Sequence, residues 1–312
     1  MTDQPVLVVG EALVDIVHRR DGSVDEHVGG SPLNVAVGLA RLGHPVELAT
    51  QIGRDERGQR IGEHLAADGI ALVPGSEAAD RTSTATAELD DAGGARYTFD
   101  LTDVSPPAGE GSGHLHTGSI GALLGEPGQD VLAAMTRAQQ QVTVSYDPNA
   151  RPSLMGEPGA ALAAMEQRIA VSDVVKASDE DMAWLLDRDL DGFVAEDAIE
   201  VLRRWVDLGA SLAVATLGPD GAVAVHASGE VRVPGRAVEV ADTVGAGDSF
   251  TSGLLSALLD AGLLGDRAAA QRLAEADAAD ITAAVARGVV ASAVTVSRPG
   301  AQPPTRADLG LT

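Results

Sequence analysis

The amino-acid sequence predicts an α/β fold, a mostly parallel central sheet flanked by helices, with a small second β-sheet lying over one edge as a lid. The first observation is the alternation of short β-branched runs with Ala- and Leu-rich helical patterns, which is typical of β-α units. The second is that segments at about 13–30 and 82–101 interrupt this alternation with hairpin-like patterns. The third is the length of 312 residues, which is enough for one large α/β domain or two ordinary ones, and for a buried core.

The elements of the main sheet follow from the period of the apolar residues. Short runs rich in Val and Ile predict strands, and apolar residues that recur every three or four positions predict helices. The predicted strands are Val6–Val9, Val46–Ile52, His114–Thr117, Val142–Asp147, Val174–Lys176, Leu212–Leu217 and Ala222–His226. The predicted helices are Pro32–Leu42, Gly58–Asp68, Asp130–Gln141, Glu180–Leu186, Ala195–Leu208, Ala246–Ala261 and Ala283–Ser292.

The two interrupting segments are predicted to form hairpins outside the main sheet. Thr82–Glu88 and Arg96–Asp100 are alternating or β-branched, and glycine-containing turns occur at Asp21–Gly22 and Gly93–Gly94. Because α/β folds bind ligands at the carboxyl ends of their strands, the simplest arrangement is a lid over that edge, built from these discontinuous insertions into one domain over residues 1–312. Surface hairpins without a lid role are the alternative.

The composition limits the partners of the chain. Asp and Glu number 46 against 22 Lys and Arg, a formal net charge of −24, so the overall field repels nucleic acid and anionic membrane surfaces. No stretch approaches the roughly 20 uninterrupted apolar residues of a membrane helix. The N-terminal stretch lacks the basic region of a signal peptide. We therefore expect a cytoplasmic protein, with Asp25 and Glu26 of the lid as solvated surface charge.

Two residue types exclude several enzyme classes. Cysteine is absent, which excludes thiolate nucleophiles, disulfides and cysteine-ligated metal clusters. Lys176 is the only lysine, and its Val-Lys-Ala-Ser context fits neither a Walker A loop nor the strand lysine of protein kinases. The dinucleotide-binding pattern G-x-G-x-x-G is also missing after the first strand. Any polyphosphate substrate therefore needs a locally electropositive cradle of another kind.

A small-residue loop before a helix supplies such a cradle. The segment Asp242-Thr-Val-Gly-Ala-Gly-Asp-Ser-Phe250 ends where a helical apolar period begins. At Gly245, Ala246 and Gly247, consecutive backbone N–H groups can approach an anion, and the helix N-terminus adds partial positive charge. Phosphate can thus bind without lysine. Asp248 lies in the first turn, either as a stabiliser of the helix dipole or as a base beside a transferred phosphate.

Other polar residues follow predicted strands or open helices. Gly29-Gly-Ser-Pro-Leu-Asn34 is a glycine turn that feeds a helix, and Asp15 follows the first strand, where a carboxylate can hold sugar hydroxyls. Taken singly, Gly29-Gly30 also fits a mere hinge, and Asn34 also fits a polar residue in the first turn of a helix. His114 and His116 are two apart on a predicted strand, and we expect them to serve packing and turn bonding rather than metal binding.

Several motifs in one order point to a known family. Val8-Val-Gly-Glu-Ala-Leu-Val-Asp15, Gly29-Gly-x-x-x-Asn34 and Asp242-Thr-Val-Gly-Ala-Gly-Asp248 resemble the PfkB/ribokinase family of carbohydrate kinases. The resemblance covers essentially the whole chain. Further matching segments are Tyr146-Asp-Pro-Asn-Ala-Arg151, Lys176-Ala-Ser-Asp-Glu-Asp181, Thr216-Leu-Gly-Pro-Asp-Gly221 and Ser297-Arg-Pro-Gly-Ala301. His116-Thr-Gly-Ser119 and Asp147-Pro-Asn-x-Arg151 look more like the fructokinase and 2-keto-3-deoxygluconate kinase branch.

The resemblance implies a ribokinase-like fold and assigns roles around the transferred phosphate. Asp248 would be the general base that takes a proton from the sugar hydroxyl, while Gly245, Ala246 and Gly247 hold the γ-phosphoryl group. Such a site works by positioning and charge neutralisation. The residues that would hold the sugar are Asp15, Gly30, Asn34 and Arg151, the last through a phosphate or an acidic substrate group.

The resemblance also implies ATP, Mg²⁺ and K⁺ sites. The residues it places along the nucleotide are Lys176, Ser178, Thr216, Gly218 and Gly221. Asp181 would organise Mg²⁺, and it would do so through water because its side chain is one methylene shorter than that of the Glu in the family. Alternatively, Glu180 takes the place of Asp181. For Ser178, the alternative to a nucleotide contact is a helix cap. Asp242 and Val244 stand where family members bind potassium.

The resemblance therefore predicts an ATP-dependent sugar kinase that phosphorylates a primary hydroxyl, with fructose as the first candidate substrate. The alternatives are 2-keto-3-deoxygluconate kinase, then a nucleoside kinase, then a catalytically silent sugar or nucleotide sensor on the same fold. Lid sheets of the family commonly pair between subunits, and Thr82–Thr86 offers edge-capable strands. We therefore expect a homodimer formed through the lid.

Overall fold

A large mixed sheet forms the centre of the molecule. The computed structural model describes residues 4–19, 22–89, 95–102, 105–107 and 112–311. Within them, nine strands pair in the order β13-β12-β11-β10-β9-β8-β1-β4-β5. Their bounds are β1 Val6–Val9, β4 Val46–Ala49, β5 Ala71–Leu72, β8 His114–Gly118, β9 Thr143–Asp147, β10 Val174–Ser178, β11 Leu212–Thr216, β12 Gly221–His226 and β13 Gly229–Pro234. In this order, all strands from β11 through β1 to β5 are parallel to one another. Strand β12 is antiparallel to β11, and β13 is antiparallel to β12.

A second, smaller sheet comes from the two segments predicted as hairpins. Among the described residues it has four strands in the order β3-β2-β6-β7, with the bounds β2 Leu13–His18, β3 Val24–Gly29, β6 Thr84–Leu89 and β7 Ala95–Asp100. The two hairpins are joined by parallel pairing of β2 with β6. The predicted turn at Gly93–Gly94, and Asp21 of the other turn, lie outside the described residues.

Helices cover both faces of the large sheet. Their bounds in the described chain are α1 Ser31–Arg41, α2 Glu56–Ala67, α3 Gly125–Ala138, α4 Pro152–Met155, α5 Pro158–Ile169, α6 Asp179–Leu185, α7 Ala195–Leu208, α8 Ala246–Asp260, α9 Arg267–Ala274 and α10 Ala278–Val296. Because neighbouring residues of β1 point to opposite faces, Val8 packs in the core layer of α1, α8 and α10, whereas Leu7 packs in that of α3, α5 and α7. The predicted mostly parallel sheet flanked by helices is thus confirmed, and the helices on its two faces make it a three-layer α/β arrangement.

Several element boundaries differ from those predicted. The helix predicted from Asp130 begins at Gly125. Its start was missed because the glycines and the proline at the beginning of the helix add no apolar residue to the helical spacing. The helix predicted as Ala283–Ser292 runs from Ala278 to Val296, with Asp277 as its N-cap. Helices α4, α5 and α9 and strands β5 and β13 have no counterpart in the sequence prediction. Strand β4 ends at Ala49, three residues before the predicted end.

Helix α10 is apolar yet belongs to the core. By length and composition, it is the one helix in the described part of the chain that could cross a membrane, with a mean hydropathy of 1.4. Ile281, Val285 and Val289 of this helix are nevertheless buried in the core cluster that also contains residues of α8. Such burial is typical of a core helix in a globular protein.

Candidate active site

The best-defined cluster of polar residues lies where α8 begins. Asp248, in the first turn of α8, is 9% exposed. Its Oδ1 accepts a hydrogen bond from the Ser31 hydroxyl at 2.7 Å, and its Oδ2 accepts one from Asn34 Nδ2 at 2.8 Å. Burial raises the pKa of Asp248, and these two hydrogen bonds partly offset the increase. Both donors come from α1, so α1 fixes the orientation of the carboxylate.

The loop before α8 has the small residues its geometry requires. Gly245 is the N-cap of α8 with φ +74°, and a Cβ there would lie 2.6 Å from the Ala301 Cβ. The cap has no side-chain hydrogen bond, so no capping side chain covers the first N–H groups of the helix. The Ala246 N–H donates to the Thr243 carbonyl at 3.2 Å. The amides that follow it, at Gly247 and Asp248, are the ones positioned to take an anion.

The single lysine of the chain lies against this loop. A Cβ at Gly247 would be 3.2 Å from Lys176 Nζ, and Nζ pairs with Asp147 Oδ2 at 3.2 Å. The same Asp147 oxygen accepts a hydrogen bond from the Thr251 hydroxyl at 3.0 Å. Lys176 and Asp147 are both buried, so their charges interact with little screening by water.

The charge of Lys176 is stabilised by carboxylates. Burial by itself lowers the pKa of Lys176, but Asp147, Asp181 and Asp248 together outweigh burial and hold the pKa above its ordinary value. Lys176 is therefore a permanent cation beside the first turn of α8. Asp147 Oδ1 is buried and has no hydrogen-bond partner among the described residues, which leaves it available to a ligand.

Asp181 joins two loops at the ends of β9 and β10. Its Oδ1 accepts the Ala150 N–H at 2.7 Å and its Oδ2 accepts the Ser178 N–H at 2.9 Å. The Ser178 hydroxyl in turn accepts the Asp181 N–H, which completes a capping box at the start of α6. The helix-cap interpretation of Ser178 is therefore confirmed. Each Asp181 oxygen already accepts one backbone N–H.

The predicted sugar residues gather where the two sheets meet. Asp15 lies on β2 opposite His27 of β3, and a Cβ at Gly29, two residues further along β3, would be 2.1 Å from the Asp15 Oδ2. Gly30 has φ +112°, and a Cβ there would lie 2.6 Å from the carbonyl of Glu11. Glycine is thus required at Gly30, whereas at Gly29 a Cβ would displace the Asp15 carboxylate. Burial raises the pKa of Asp15 to about 6, with opposing effects from His27 and Arg151 and a small increase from Asp248.

Arg151 is the N-cap of α4, and its positive charge lowers the pKa of Asp15 and Glu11. Its Nη1 donates to Asn149 Oδ1 at 2.7 Å, to the Asn149 carbonyl at 3.1 Å and to the Ala150 carbonyl at 2.9 Å. Within the described residues, its Nε and Nη2 make no hydrogen bond and no direct ion pair joins it to either carboxyl. One edge of the guanidinium is therefore free for a ligand group.

Glu11 is the first side chain between β1 and β2. Its Oε2 accepts the Gly121 N–H at 2.9 Å. Burial raises the pKa of Glu11 to about 7, against smaller decreases from backbone N–H groups, Ser119 and Arg151. Glu11 also lines a cavity of about 220 Å³ between the two sheets, with Ser83 and Leu101 on its small-sheet side.

The residues predicted to lie along the nucleotide occupy neighbouring strand ends. Ser178 ends β10 and is directly paired in register with Thr216, which ends β11. Gly218 and Gly221 bracket the turn from β11 to β12, with φ +51° and +101°. A Cβ at Gly221 would lie 2.2 Å from the Val233 carbonyl. This close approach accounts for the glycine, and the turn lies at the same sheet edge as Lys176.

The predicted potassium residues lie in a loop tied to the C-terminal segment. Asp242 Oδ1 accepts the Val244 N–H at 3.0 Å, and Asp242 Oδ2 accepts the Gly300 N–H at 2.9 Å. The side chain of Asp242 is thus occupied in holding the two loops together. Val244 is 56% exposed.

The structure adds to the candidate site four residues that were not predicted from the sequence to belong to it. Ser31, Asp147 and Thr251 complete the hydrogen bonds around Asp248 and Lys176, and Glu11 joins the sugar side. Ser31 stands inside the Gly29–Asn34 motif and Asp147 inside the Asp147–Arg151 motif, so both had a signal in the sequence. Thr251 had none, because its role depends on the approach of α8 to β9.

Two expectations about other polar residues have clear outcomes. His114 and His116 are buried and bonded to Thr143 and Ser145 at 2.7–2.9 Å, and burial lowers the pKa of each to about 3. Their packing role is confirmed. Glu26 is not free surface charge: it accepts hydrogen bonds from Arg57 and Arg60 of α2. The prediction for Glu26 was wrong because the pairing partners come from another layer of the fold.

The structure combines a three-layer α/β fold with a second small sheet. Its buried carboxylate beside a helix N-terminus and a buried lysine suits a phosphotransferase that acts on a hydroxyl group. The profile of the pfkB family carbohydrate kinases matches residues 3–308. The chain belongs to this family of carbohydrate kinases and is an ATP-dependent sugar kinase with a ribokinase-like fold.

Individual relatives agree with the family. A fructokinase of Rhizobium leguminosarum bv. trifolii is 34% identical over 269 residues, covering 81% of this chain and 79% of the relative. A fructokinase of Klebsiella pneumoniae is 31% identical over 299 residues, covering 91% and 94%. The crystal structure of a Vibrio cholerae O395 fructokinase double mutant, bound to fructose, ADP and potassium ion, superposes with a TM-score of 0.77 at 27% identity, covering 98% and 97%.

Proposed function

We propose that this kinase transfers the γ-phosphoryl group of ATP to a primary hydroxyl of fructose. The observation that carries the proposal is the buried Asp248 carboxylate, fixed by Ser31 and Asn34 at the N-terminus of α8. The fructokinase names of relatives that are 31–34% identical over most of the chain support fructose as the sugar.

Asp248 is the general base of the proposed reaction. Each of its oxygens accepts one hydrogen bond from α1 and keeps a further lone-pair direction for the sugar hydroxyl. Its raised pKa makes it a stronger base than an exposed aspartate. The proton moves from the sugar hydroxyl to Asp248 as the sugar oxygen attacks the γ-phosphorus, whose bond to the β,γ-bridging oxygen breaks to release ADP. The residues that hold the sugar are Asp15, Gly30, Asn34 and Arg151.

The phosphoryl group lies at the N-terminus of α8. Gly245, Ala246 and Gly247 are proposed to let the phosphoryl group approach the backbone and to keep the first turn of α8 open to that group. Lys176 supplies the positive charge that the net charge of −24 otherwise denies an anionic substrate. Ser178, Thr216, Gly218 and Gly221 are proposed to lie along the rest of the nucleotide.

The residues present fit a magnesium ion held mainly by phosphate oxygens. Asp147 Oδ1 is a buried carboxylate oxygen without a partner, and hard carboxylate oxygens are the ligands that Mg²⁺ prefers. Asp181 is proposed to contact the ion through water, because its own oxygens already accept backbone N–H groups. When bound, Mg²⁺ would neutralise charge on the phosphate oxygens.

Potassium, oligomeric state and location complete the proposal. Backbone carbonyls of Asp242 and Val244 are proposed to bind K⁺, in a loop that the Asp242 side chain ties to Gly300. The small sheet is proposed to act as a lid and to pair with a second copy of the chain, giving a homodimer in the cytoplasm. Light scattering at micromolar concentration tests the dimer, and a monomer would refute it.

The test of the proposed function is an ADP-release assay with Mg-ATP, with and without potassium, against fructose, 2-keto-3-deoxygluconate and adenosine. We expect turnover of fructose that Asp248→Asn abolishes. Preferred turnover of the sugar acid would assign 2-keto-3-deoxygluconate kinase, through the free edge of Arg151. Preferred turnover of adenosine would assign a nucleoside kinase. Binding of sugar or ATP without any turnover would identify a sensor.

A further inference from the structure

Helices α1 and α8 lie side by side and run in the same direction. Near their N-termini, Asn34 of α1 donates to Asp248 of α8. One turn further along both helices, Gly38 lies against Ser252. Because residues four apart lie on the same face of a helix, these two contacts are successive steps of one helix–helix interface. Asp248 is therefore held by an interface that continues beyond the site.

The two helices approach each other closely at Gly38 and Ser252. Both residues are buried. A Cβ at Gly38 would lie 2.6 Å from the Ser252 Cβ and closer still to the Ser252 Oγ. The Ser252 hydroxyl donates to the Ser249 carbonyl at 3.0 Å, so its own helix holds it in place. Since a Cβ is fixed to the backbone, only glycine at position 38 permits this separation of the helices.

Charged and polar groups join the C-terminal ends of the same two helices. Asp260, the last residue of α8, pairs with Arg306 at 3.1 Å, and Arg306 also donates to the carbonyl of Leu42, the C-cap of α1, at 3.1 Å. His44, just after α1, hydrogen-bonds with the Ser256 hydroxyl at 2.9 Å. These contacts hold the helices together at one end. A group inserted between the helices would therefore separate them at the opposite end, which is the end of the site.

We propose that Gly38 is a positioning residue: its missing side chain sets the separation of α1 and α8 at which the donors of α1 reach the Asp248 carboxylate. The inference rests on the proposed function, in which Asp248 is the general base. Carbon atoms in contact normally lie about 3.5–4.0 Å apart, so a Cβ at position 38 would push the helices apart by about 1 Å. The hydrogen bonds to Asp248, now 2.7 and 2.8 Å long, would then exceed about 3.5 Å and be lost.

Loss of these hydrogen bonds has two consequences for Asp248. The carboxylate is no longer held toward the sugar hydroxyl, so kcat falls. The two bonds from α1 also lower the pKa of Asp248, so their loss raises it, and the pH below which kcat falls moves upward. The other groups that act on Asp248 electrostatically are Asp147, Lys176 and Asp15, and none of them is changed by a substitution at Gly38.

The test uses the two atoms of Ser252 that a Cβ at position 38 would meet. Gly38→Ala introduces the clash. Adding Ser252→Gly removes both Oγ and Cβ and makes room for the new methyl group, whereas adding Ser252→Ala removes only Oγ. Ile199→Ala, in α7 on the other face of the large sheet, is the control for a loss of stability away from this interface. Circular dichroism verifies that each variant is folded, and kcat is measured with saturating Mg-ATP and fructose between pH 4.5 and pH 8.5.

We expect Gly38→Ala to lower kcat by about 10- to 100-fold, as a misplacement of about 1 Å does, and to move the acid limb of kcat to higher pH. Ser252→Gly should restore most of the lost kcat, Ser252→Ala should not, and Ile199→Ala should leave kcat and its acid limb unchanged. The inference is overturned by wild-type kcat in Gly38→Ala, by an unmoved acid limb, or by no better recovery with Ser252→Gly than with Ser252→Ala.

Two further measurements keep the test decisive. If Gly38→Ala does not fold, Ser252→Thr replaces it, because its additional methyl group crowds the same contact from α8, and the same fall in kcat is expected. Crystal structures of the variants give the distances from Asp248 to its two donors without reference to activity, and unchanged distances overturn the inference. If the wild-type chain phosphorylates no sugar, the proposed function fails, while these distances still decide whether Gly38 positions Asp248.

Discussion

Asn34 Nδ2 donates a hydrogen bond of 2.8 Å to Asp248 Oδ2, across 214 positions of sequence. The contact joins the first turn of α1 to the first turn of α8, so the glycine turn at residues 29–30 and the loop at residues 242–247 form one site. The hydrogen bond also ties the residues proposed to hold the sugar to the proposed base. In the proposed reaction, sugar binding and base orientation are thus coupled through α1.

Replacing the proposed base tests the chemistry directly. Asp248→Asn should lower kcat by about 10²- to 10⁴-fold, because the amide cannot take the proton. The fold should persist, since Asn keeps an oxygen for Ser31 and the Asn34 amide can rotate to pair with it. Steady-state kinetics with fructose measures the loss. Asp187→Asn, at an exposed left-handed position where Asn is tolerated, should keep wild-type kcat. A kcat for Asp248→Asn within tenfold of wild type would contradict the assignment.

The activity should fall in mildly acidic solution. Asp15 and Asp248 act as carboxylates, and burial raises the pKa of Asp15 from 3.8 to about 6 and raises that of Asp248 as well. Protons therefore inactivate the site as the pH drops through about 6. The measurement is kcat/KM for the sugar between pH 4.5 and pH 8.5. An acid limb near pH 4, where exposed aspartates titrate, would show that burial does not shift these groups.

The Lys176–Asp147 pair should be needed for stability. Lys176→Met leaves the buried Asp147 carboxylate without its cation, which should lower the free energy of unfolding by about 3–5 kcal/mol. Adding Asp147→Asn to this variant removes the unpaired charge and should restore at least half of the loss. Urea unfolding at pH 7.5 measures both variants. If the double variant is no more stable than Lys176→Met, the charge of Asp147 is not the cause.

The ionisation of Glu11 should also make stability depend on pH. Its pKa rises from 4.5 in the unfolded chain to about 7 in the folded one, so the folded state holds the proton more tightly. Stability from this group is therefore present below pH 4.5 and lost as the pH rises toward 7. Glu11→Gln escapes this loss and should be about 1–3 kcal/mol more stable than wild type at pH 8. Urea unfolding at pH 4.5 and pH 8 should show the difference only at the higher pH.

The ion pairs between Glu26 and α2 should help to position the small sheet. Glu26 Oε1 accepts Arg57 Nε at 3.1 Å, and Oε2 accepts Arg60 Nη1 at 2.6 Å. Each partly exposed ion pair contributes about 0.2–1 kcal/mol, so Glu26→Gln should raise KM for the sugar by less than about tenfold while kcat stays near wild type. Salt at 0.5 M should remove most of the difference.

The matched control for this variant is Glu230→Gln, which breaks the Arg203–Glu230 pair on β13. Strand β13 is an edge strand of the large sheet and pairs with β12 rather than with any strand of the small sheet, so the KM for the sugar should not change. An equal rise in KM for both variants would mean that surface charge in general, rather than the contact with α2, affects sugar binding.

Much of the fold could be predicted because its signals are local. Strand β1 and helix α7 have the predicted bounds. A run of four buried valines and leucines is a local signal for a strand, and a regular helical spacing of apolar residues is a local signal for a helix. Helix α5 was missed because its Ala-rich sequence has little contrast between faces. Strand β13 was missed because it is an edge strand with exposed charged residues.

The sequence by itself determined the class of protein and the identities of the chemical groups. The single lysine, the absence of cysteine, and the glycine turns before α1 and α8 are properties of the chain, and they restrict the chemistry before any folding is known. The glycines are informative because left-handed backbone and close approach exclude other residues wherever they occur.

Only the tertiary structure decided which groups act together. Ser31, Asn34 and Asp248 meet because α1 packs beside α8, and Lys176 meets Asp147 because β9 and β10 are neighbours in the sheet. The raised pKa values of Asp248 and Glu11 likewise arise from burial, which no local pattern encodes. Contact between distant segments and removal of water are properties of the packed molecule, and they turn a set of suitable side chains into a site.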